Sequence, residues 1–158
     1  MAYAKVPPFD KGILQIAEMK IFLDANILVS VLNKEYPLFT YSSRVMSLVE
    51  NPKFEVYTSP ICLAIAFYFA EKKSGTVKAK QKMEILCTKI EIVPADKSSV
   101  VKTIQNKSIH DFEDGLEYYS AEAVACKCII TENRNDFFFS DIEVLDSQSF
   151  LKKYVMQS

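Results

Sequence analysis

The stretch that decides the fold is residues 111–137, Asp-Phe-Glu-Asp-Gly-Leu-Glu-Tyr-Tyr-Ser-Ala-Glu-Ala-Val-Ala-Cys-Lys-Cys-Ile-Ile-Thr-Glu-Asn-Arg-Asn-Asp-Phe. It opens with acidic residues, and the apolar and small residues after them predict a helix over about residues 112–125. The helix is apolar on two sides, which is typical of a buried helix. A short apolar strand over about residues 127–131 follows and runs into a polar turn. The stretch therefore predicts a buried helix–strand unit with carboxylates at both ends.

On either side of this unit, short apolar strands alternate with helices. Proline, glycine and N-cap signals bound the elements. Strands are predicted at about residues 20–23, 54–57, 90–93 and 142–145, and helices at about 27–32, 39–50, 61–73, 77–88, 96–105 and 147–154. Such alternation favours a parallel sheet covered by helices on both faces. Residues 1–18 are predicted to be an N-terminal extension of a single domain that spans residues 19–158.

The composition is that of a globular protein of one domain. The chain has 158 residues, a formal net charge of −1 and three glycines. This charge argues against a protein that coats nucleic acid, although it leaves room for a local basic patch. With so few glycines the chain has neither a dinucleotide-binding loop nor a P-loop. Five lysines between residues 72 and 82 are candidates for an RNA path, and a solvated helix face is the simpler interpretation.

The cysteines and the apolar runs bear on where the protein works. The four cysteines, Cys62, Cys87, Cys126 and Cys128, form no CxxC pair, so buried free thiols in a reducing cytoplasm are favoured over a zinc site. No signal peptide is evident at the N-terminus. The longest apolar run, residues 61–70, is about half of what a bilayer-crossing helix needs, and it predicts a core helix. A cytoplasmic protein without a membrane partner is expected.

Polar residues gather where two predicted strands end. In an open parallel sheet, the ligand crevice lies beyond the carboxyl ends of the strands, where the strand order reverses. If the first and fourth strands are neighbours, three carboxylates meet there, together with amide and hydroxyl groups. The residues concerned are Asp24, Asn26, Asp114, Thr131, Asn133 and Asp136.

Such an oxygen-rich cluster suits Mg²⁺ or Mn²⁺. A divalent ion held there would polarise a phosphate and activate water for phosphodiester hydrolysis. Each residue also has a structural interpretation. Asp111 is placed to cap the helix that follows it, Asp24 or Asn26 to cap the helix after the first strand, and residues 133–136 to form a turn.

Three segments resemble the PIN domain family of metal-dependent ribonucleases, in its VapC-like form. They are Met-Lys-Ile-Phe-Leu-Asp-Ala-Asn-Ile-Leu at 19–28, Asp-Gly-Leu-Glu-Tyr-Tyr-Ser-Ala at 114–121, and Ile-Ile-Thr-Glu-Asn-Arg-Asn-Asp-Phe at 129–137. The resemblance implies a three-layer α/β/α sandwich with a parallel sheet of four to five strands in the order 3-2-1-4-5. It also implies an RNA substrate, and small members are commonly toxins of type II toxin–antitoxin modules, which pair with an antitoxin and often form homodimers.

The resemblance also implies roles for individual residues. Asp24, Asp114 and Asp136 match the family's acids and would be the catalytic metal ligands. Asn26, Thr131 and Asn133 would orient ligands or water, with Asp111 in support.

One position departs from the family pattern. A glutamate is usual in the helix after the second strand, where this chain has Ile65. Metal affinity is then expected to be weaker, unless Asp111 or Glu113 compensates for the missing acid. The alternative is a weakened PIN domain that binds RNA or a protein without cutting. A receiver-like phosphoacceptor domain ranks far behind, because only Asp24 of the acids it requires is present.

Overall fold

The computed structural model describes residues 17–156. In that range, five parallel strands form one sheet in the order β3-β2-β1-β4-β5, as predicted, with helices on both faces. The predicted N-terminal extension lies outside the described residues except for its last two. The strands are β1 (Met19–Leu23), β2 (Phe54–Thr58), β3 (Glu91–Ile92), β4 (Cys128–Ile130) and β5 (Glu143–Leu145).

Seven α-helices connect and follow the strands within residues 17–156. They are α1 (Ala25–Asn33), α2 (Phe39–Met46), α3 (Pro60–Ser74), α4 (Thr76–Lys89), α5 (Lys97–Gln105), α6 (Phe112–Ala123) and α7 (Ser147–Tyr154). Two 3₁₀ helices, Ser47–Glu50 and Arg134–Phe137, complete the described elements. None of the helices in this part of the chain has the length and apolar character needed to cross a membrane.

The sheet is buried most deeply at its centre, where β1 pairs with β4. Ile21, Phe22 and Leu23 of β1 and all of β4 are fully buried, as expected for strands that helices cover on both faces. The pairing aligns Leu23 with Ile130, and the amide of Asp24 extends it by donating to the Ile130 carbonyl at 3.0 Å. The first residues beyond the two strands, Asp24 and Thr131, therefore lie side by side.

The strand order reverses at this same pair. From β1 the chain moves outward through β2 to β3, and it then returns across the sheet to β4 on the other side of β1. The connections after β1 and β4 leave in opposite directions, which opens a crevice above their carboxyl ends.

Helix α6 packs closely against α5 through Gly115. A Cβ atom at position 115 would lie 2.4 Å from Cγ2 of Thr103, so a side chain there would force Thr103 to shift. Gly115 thus permits the close approach that its small size predicts. This contact fixes where the acidic first turn of α6 stands relative to the sheet.

The structure corrects the predicted C-terminal end of α6. The helix ends at Ala123 rather than at residue 125, because Ala125 adopts a left-handed conformation with φ of 59°. The amide of Ala125 donates to the Glu122 carbonyl and that of Cys126 donates to the Ala121 carbonyl, both at 3.0 Å. These are the two hydrogen bonds of a Schellman motif, which ends a helix and turns the chain.

Two further expectations about burial hold only in part: α3 contributes to the core as predicted, and three of the four cysteines are buried. Helix α3 is buried on one side only, since Tyr68 is 55% and Phe69 is 43% exposed. Cys87 of α4 is exposed, unlike the other three cysteines. An unbroken run of apolar residues does not indicate which side of a helix a neighbouring helix covers.

Two of the basic residues expected on a solvated face have a structural role. The ammonium group of Lys82 donates to the Leu32 carbonyl at 3.0 Å, and that of Lys73 donates to the Asn33 carbonyl. Positive charge at the C-terminal end of a helix offsets the partial negative charge of its free carbonyls. Lys73 and Lys82 therefore anchor α3 and α4 to the end of α1.

Candidate metal centre

A crevice of about 620 Å³ opens above the carboxyl ends of β1 and β4. This volume suits a hydrated ion together with part of a larger ligand. Acidic side chains from several elements line it: Asp24, Asp111, Glu113, Asp114, Glu117 and Asp136. The structure thus brings Asp24, Asp114 and Asp136 into one crevice. Their role as metal ligands stays a prediction.

Asp24 is held in place by hydrogen bonds to both of its carboxylate oxygens. Its Oδ1 accepts the Ala25 amide at 2.6 Å, which caps α1. Its Oδ2 accepts the Thr131 hydroxyl at 2.7 Å and the Asn26 amide group at 3.3 Å. The side chain is only 7% exposed. The same carboxylate therefore caps α1 through one oxygen and contacts Asn26 and Thr131 through the other.

Thr131 and Asn26 join the ends of β1 and β4. Thr131 Oγ1 accepts the Asn26 amide group and the Asn133 backbone amide, each at 3.1 Å. Asn26 Oδ1 in turn accepts the backbone amide of Glu132 at 3.2 Å. Thr131 is fully buried and does not line the crevice, whereas Asn26 and Asn133 do. Thr131 therefore acts on the crevice through Asp24.

Asp114 enters the crevice from the first turn of α6. Asp111 caps this helix, because its Oδ1 accepts the backbone amides of Glu113 at 2.9 Å and Asp114 at 3.3 Å. Burial, followed by the charges of Asp111, Asp136 and Asp24, raises the pKa of Asp114 to about 7. A carboxyl with that pKa has no compensating cation near it.

Asp136 reaches the crevice from the 3₁₀ helix Arg134–Phe137. At the start of this helix, the backbone amide of Asp136 donates a hydrogen bond to the Asn133 carbonyl at 3.0 Å. This side chain is exposed. Arg134, two residues earlier, approaches Asp146 at 3.9 Å. The turn interpretation of this segment and its place at the crevice are thus compatible.

A further carboxylate of the crevice, the buried Glu117, was not predicted from the sequence. It lies one helical turn after Asp114, is 2% exposed and lines the same crevice. Burial, then the charge of Asp24 and a hydrogen bond with it, raises the pKa of Glu117 to about 10. Its Oε2 has no hydrogen-bond partner among the described residues. The signal was present in the sequence, because residues three apart share a helix face and Asp114 was already a site candidate.

Cys62 of α3 completes a compact group with two of these acids. Ligand atoms of Asp24, Cys62 and Glu117 all lie within 4.8 Å of one another, and the three residues are buried. Burial, and then the charges of Glu117 and Asp24, raises the pKa of Cys62 well above its ordinary value. The thiol accepts the Ser59 hydroxyl at 3.3 Å. Cys62 is therefore a neutral, fully buried thiol behind Asp24 and Glu117.

Ile65, where the family pattern has an acid, also borders the crevice. It lies on α3 about one turn after Cys62, is partly buried, and lines the cavity beside Phe69. A longer polar side chain at this position would point toward the same cavity as Glu117. The α3 wall is thus apolar where the α6 wall is acidic.

These donors fit a hard divalent cation. Carboxylate oxygens from three or four side chains, with amide oxygens nearby, are the ligands that Mg²⁺ and Mn²⁺ prefer. An orphaned buried oxygen at Glu117 and a raised pKa at Asp114 are what such a cluster shows without a neutralising ion. No salt bridge reaches these acids within residues 17–156.

The mouth of the crevice carries exposed aromatic rings. The His110 ring stacks on Phe138 with centroids 5.8 Å apart, and Phe138 is 63% exposed. Both residues line the crevice. Flat exposed rings beside an acidic pocket are suited to stack against bases of a single strand.

Sequence comparison relates the chain to one family over most of its length. A family model described as "PIN domain" matches residues 20–135. Ribonuclease VapC1 of Aquifex aeolicus (strain VF5) is 29% identical over 142 residues, which cover 85% of this chain and 95% of that protein.

Solved structures share the fold. VapBC2 from Rickettsia felis, bound to a DNA fragment from their promoter, contains a chain that matches with a TM-score of 0.63 at 21% identity, over 81% of this chain and 98% of its own. VapBC-1 from nontypeable Haemophilus influenzae matches with a TM-score of 0.63 at 17% identity, over 82% and 99%. Mycobacterium tuberculosis VapC20, described as a sarcin-ricin loop cleaving toxin, matches with a TM-score of 0.56 at 14% identity, over 69% and 86%.

Proposed function

The chain belongs to the PIN domain family, and we propose that it is a metal-dependent endoribonuclease, the toxin of a type II toxin–antitoxin module that acts in the cytoplasm. The observation that carries the proposal is the meeting of Asp24, Asp114 and Asp136 in one crevice at the reversal of strand order. Asp24 is oriented there by two hydrogen bonds from neighbouring side chains. The similarity to Ribonuclease VapC1 supports the same reaction class.

The three aspartates would be the catalytic residues and would hold Mg²⁺ or Mn²⁺ through their carboxylates. Such an ion supplies charge stabilisation on the phosphate and a nucleophilic water near neutral pH. Thr131 and Asn26 keep the Asp24 carboxylate in one orientation, and Asn133 lines the cavity beside them. The rigid support of a ligand by a second layer of hydrogen bonds typically raises metal affinity about 10–100-fold.

The RNA substrate would enter past His110 and Phe138. Their stacked rings stand at the crevice mouth, where a base can pack on them while its phosphate reaches the acids. Base stacking is worth about 1–3 kcal/mol per base and is tolerant of sequence. The proposal therefore assigns positioning to the aromatic pair and hydrolysis to the acidic cluster.

An antitoxin and a second copy of the chain are the proposed protein partners. The structures of VapBC2 and VapBC-1 share the fold of this chain, and this similarity supports an antitoxin partner here. Phe69 and Phe138 are exposed at the crevice, so a partner covering them would also close the site. Light scattering of the purified chain checks the homodimer, which is expected at twice the mass of 18.0 kDa.

Asp24→Asn tests the proposed reaction. Wild-type protein with Mn²⁺ is expected to cleave structured RNA, and Asp24→Asn is expected to lower the rate at least about 100-fold, because a metal ligand and its charge are lost. The fold should survive, since asparagine caps helices as well as aspartate does. Cleavage is followed on gels, with thermal melting to confirm folding.

Asp141→Asn is the matched control, because Asp141 is an exposed acid outside the crevice, and it should cleave like wild type. Equal cleavage by Asp24→Asn and wild type would contradict the proposal.

The apolar Ile65 favours a second candidate, a weakened PIN domain that binds without cutting. Wild-type protein that shifts RNA on native gels but leaves it intact with Mn²⁺ would establish that candidate instead.

A further inference from the structure

We propose that Glu117 is a metal-binding carboxylate of the crevice, supplied by α6 in place of an acid on α3. The inference rests on the proposed function, because it assigns a further ligand to the same site. Its starting point is an imbalance between two walls of the crevice. The α3 wall presents Ile65, whereas α6 presents Glu117 deep inside.

The burial of Glu117 needs an explanation. A carboxyl group that is 98% removed from solvent costs free energy, either as an unsolvated charge or as a proton it must keep at neutral pH, unless a cation or hydrogen bonds compensate it. Glu117 is 2% exposed, and its Oε2 has no hydrogen-bond partner within the described residues. No basic side chain forms a salt bridge with it in residues 17–156. A purely structural role would be served better by an apolar side chain.

The neighbours of Glu117 are themselves site residues. It stands one turn after Asp114 on the same face of α6, and its carboxyl lies within 4.8 Å of ligand atoms of Asp24 and Cys62. The uncompensated oxygen thus belongs to the centre of the acidic cluster. A divalent cation shared with Asp24 and Asp114 would compensate all three charges together.

The position of Ile65 explains why α6 provides this group. Ile65 and Glu117 line one cavity from opposite helices, and α3 contacts α6 directly. A ligand can therefore reach the ion from either side. The number of carboxylates around a hard cation sets its affinity, so Glu117 restores the charge that Ile65 does not contribute.

Mn²⁺ binding by Glu117→Gln tests the inference without any activity measurement. Glutamine has nearly the same shape but carries no charge. Isothermal titration calorimetry with Mn²⁺ should show an affinity lowered about 10-fold or more, and the rise in Tm on adding Mn²⁺ should shrink in parallel. Glu122→Gln, an exposed position on the same helix, is the matched control and should bind like wild type.

An exchange variant makes the test directional. In the double variant Glu117→Gln plus Ile65→Glu, the carboxylate returns from the α3 side, and Mn²⁺ affinity should recover by several-fold over Glu117→Gln alone. Glu113→Gln, another acid lining the crevice but exposed, should leave the affinity within about twofold. A loss at Glu113→Gln with wild-type affinity at Glu117→Gln would assign the ligand to Glu113 and overturn the inference.

A measurement on the wild-type protein covers the case in which Glu117→Gln does not fold. Diamagnetic Mg²⁺ should shift the carboxyl ¹³C signal of Glu117 together with those of Asp24 and Asp114, because direct coordination changes the electron density at each carboxyl carbon, while the Glu122 signal stays in place. An unmoved Glu117 signal beside shifted aspartate signals would refute the role of Glu117 and leave the proposed function intact. Absence of both Mn²⁺ binding and RNA cleavage in wild type would refute the proposed function itself.

Discussion

Asp24 has both a structural role and a place in the candidate site. It ends β1, caps α1 through one oxygen and faces the site through the other. Thr131 connects it to the end of β4 with a 2.7 Å hydrogen bond. Buried hydrogen bonds to charged groups contribute about 1.5–3 kcal/mol. The geometry of the candidate site is thus part of the stability of the sheet, and changes at Thr131 should affect both.

Glu117 makes the stability of the metal-free protein depend on pH. In the unfolded chain it ionises near its ordinary pKa of 4.5, and in the folded protein near 10. Between these values the unfolded state has lost a proton that the folded state keeps, so stability falls as pH rises. Asp114 adds to this fall up to about pH 7. The groups facing Glu117 are Asp24, Asp114 and Cys62, and none is a cation.

We therefore predict that Glu117→Gln melts at a higher temperature than wild type in the presence of chelator, and that the gap widens from pH 5 to pH 9. A widening of roughly 5 °C or more is expected, since about 1 kcal/mol moves Tm by 2–4 °C in a chain of this size. Scanning calorimetry across this range measures it. A gap that stays constant with pH would show that Glu117 does not titrate between the two states.

At this scale the sequence predicted the strand-end residues but not Glu117. Asp24, Thr131 and Asn133 follow apolar strands, and strand ends meet at one sheet edge by topology alone. Glu117 sits inside a helix whose faces were judged by their apolar residues. A charged residue in such a helix is normally assigned to solvent. Only its spacing from Asp114 indicated the crevice.

Among the elements, α6 carries two acids of the crevice, Asp114 and Glu117, and a tight turn then leads from it into β4. The turn uses Ala125 at φ of 59°, a left-handed conformation that costs a residue with a side chain about 1–2 kcal/mol. Glycine usually occupies this position of a Schellman motif. The left-handed residue reverses the chain direction, so that β4 can pair with β1.

Ala125→Gly is accordingly predicted to stabilise the protein by about 0.5–1 kcal/mol, the relief of strain less the extra chain entropy of glycine. Ala123→Gly serves as control, because Ala123 is exposed and helical, and glycine there should destabilise by up to about 1 kcal/mol. Urea unfolding gives both values. If Ala125→Gly proved as destabilising as Ala123→Gly, the left-handed turn would not exist in solution.

The elements were predicted to within a few residues, and the differences have physical causes. The end of α6 moved because left-handed alanine has no signal in sequence. The exposed side of α3 and the lysines that bind the end of α1 depend on which helices pack together. Local patterns specify that a helix forms and leave its neighbours to the tertiary structure.

For the whole molecule, the parallel order β3-β2-β1-β4-β5 accounts for the location of the site. It places the ends of β1 and β4 together, leaves a crevice above them, and lets α6 enter from the side. The parallel sheet was predicted from the alternation of strands and helices, and its strand order from the resemblance to the PIN domain family. The depth of the crevice and its acidic and apolar walls were not, since they follow from packing between helices distant in sequence.

The central claim is that this crevice binds a divalent cation, and Mn²⁺ titration calorimetry of wild type against Asp24→Asn plus Asp136→Asn tests it most directly. Wild type is expected to show saturable binding, and the double change should remove it, because two of the carboxylates are lost. Asp141→Asn plus Glu122→Gln, which removes two exposed acids outside the crevice, should bind like wild type. Mn²⁺ binding that survives the Asp24→Asn plus Asp136→Asn change would place the metal elsewhere and contradict the account.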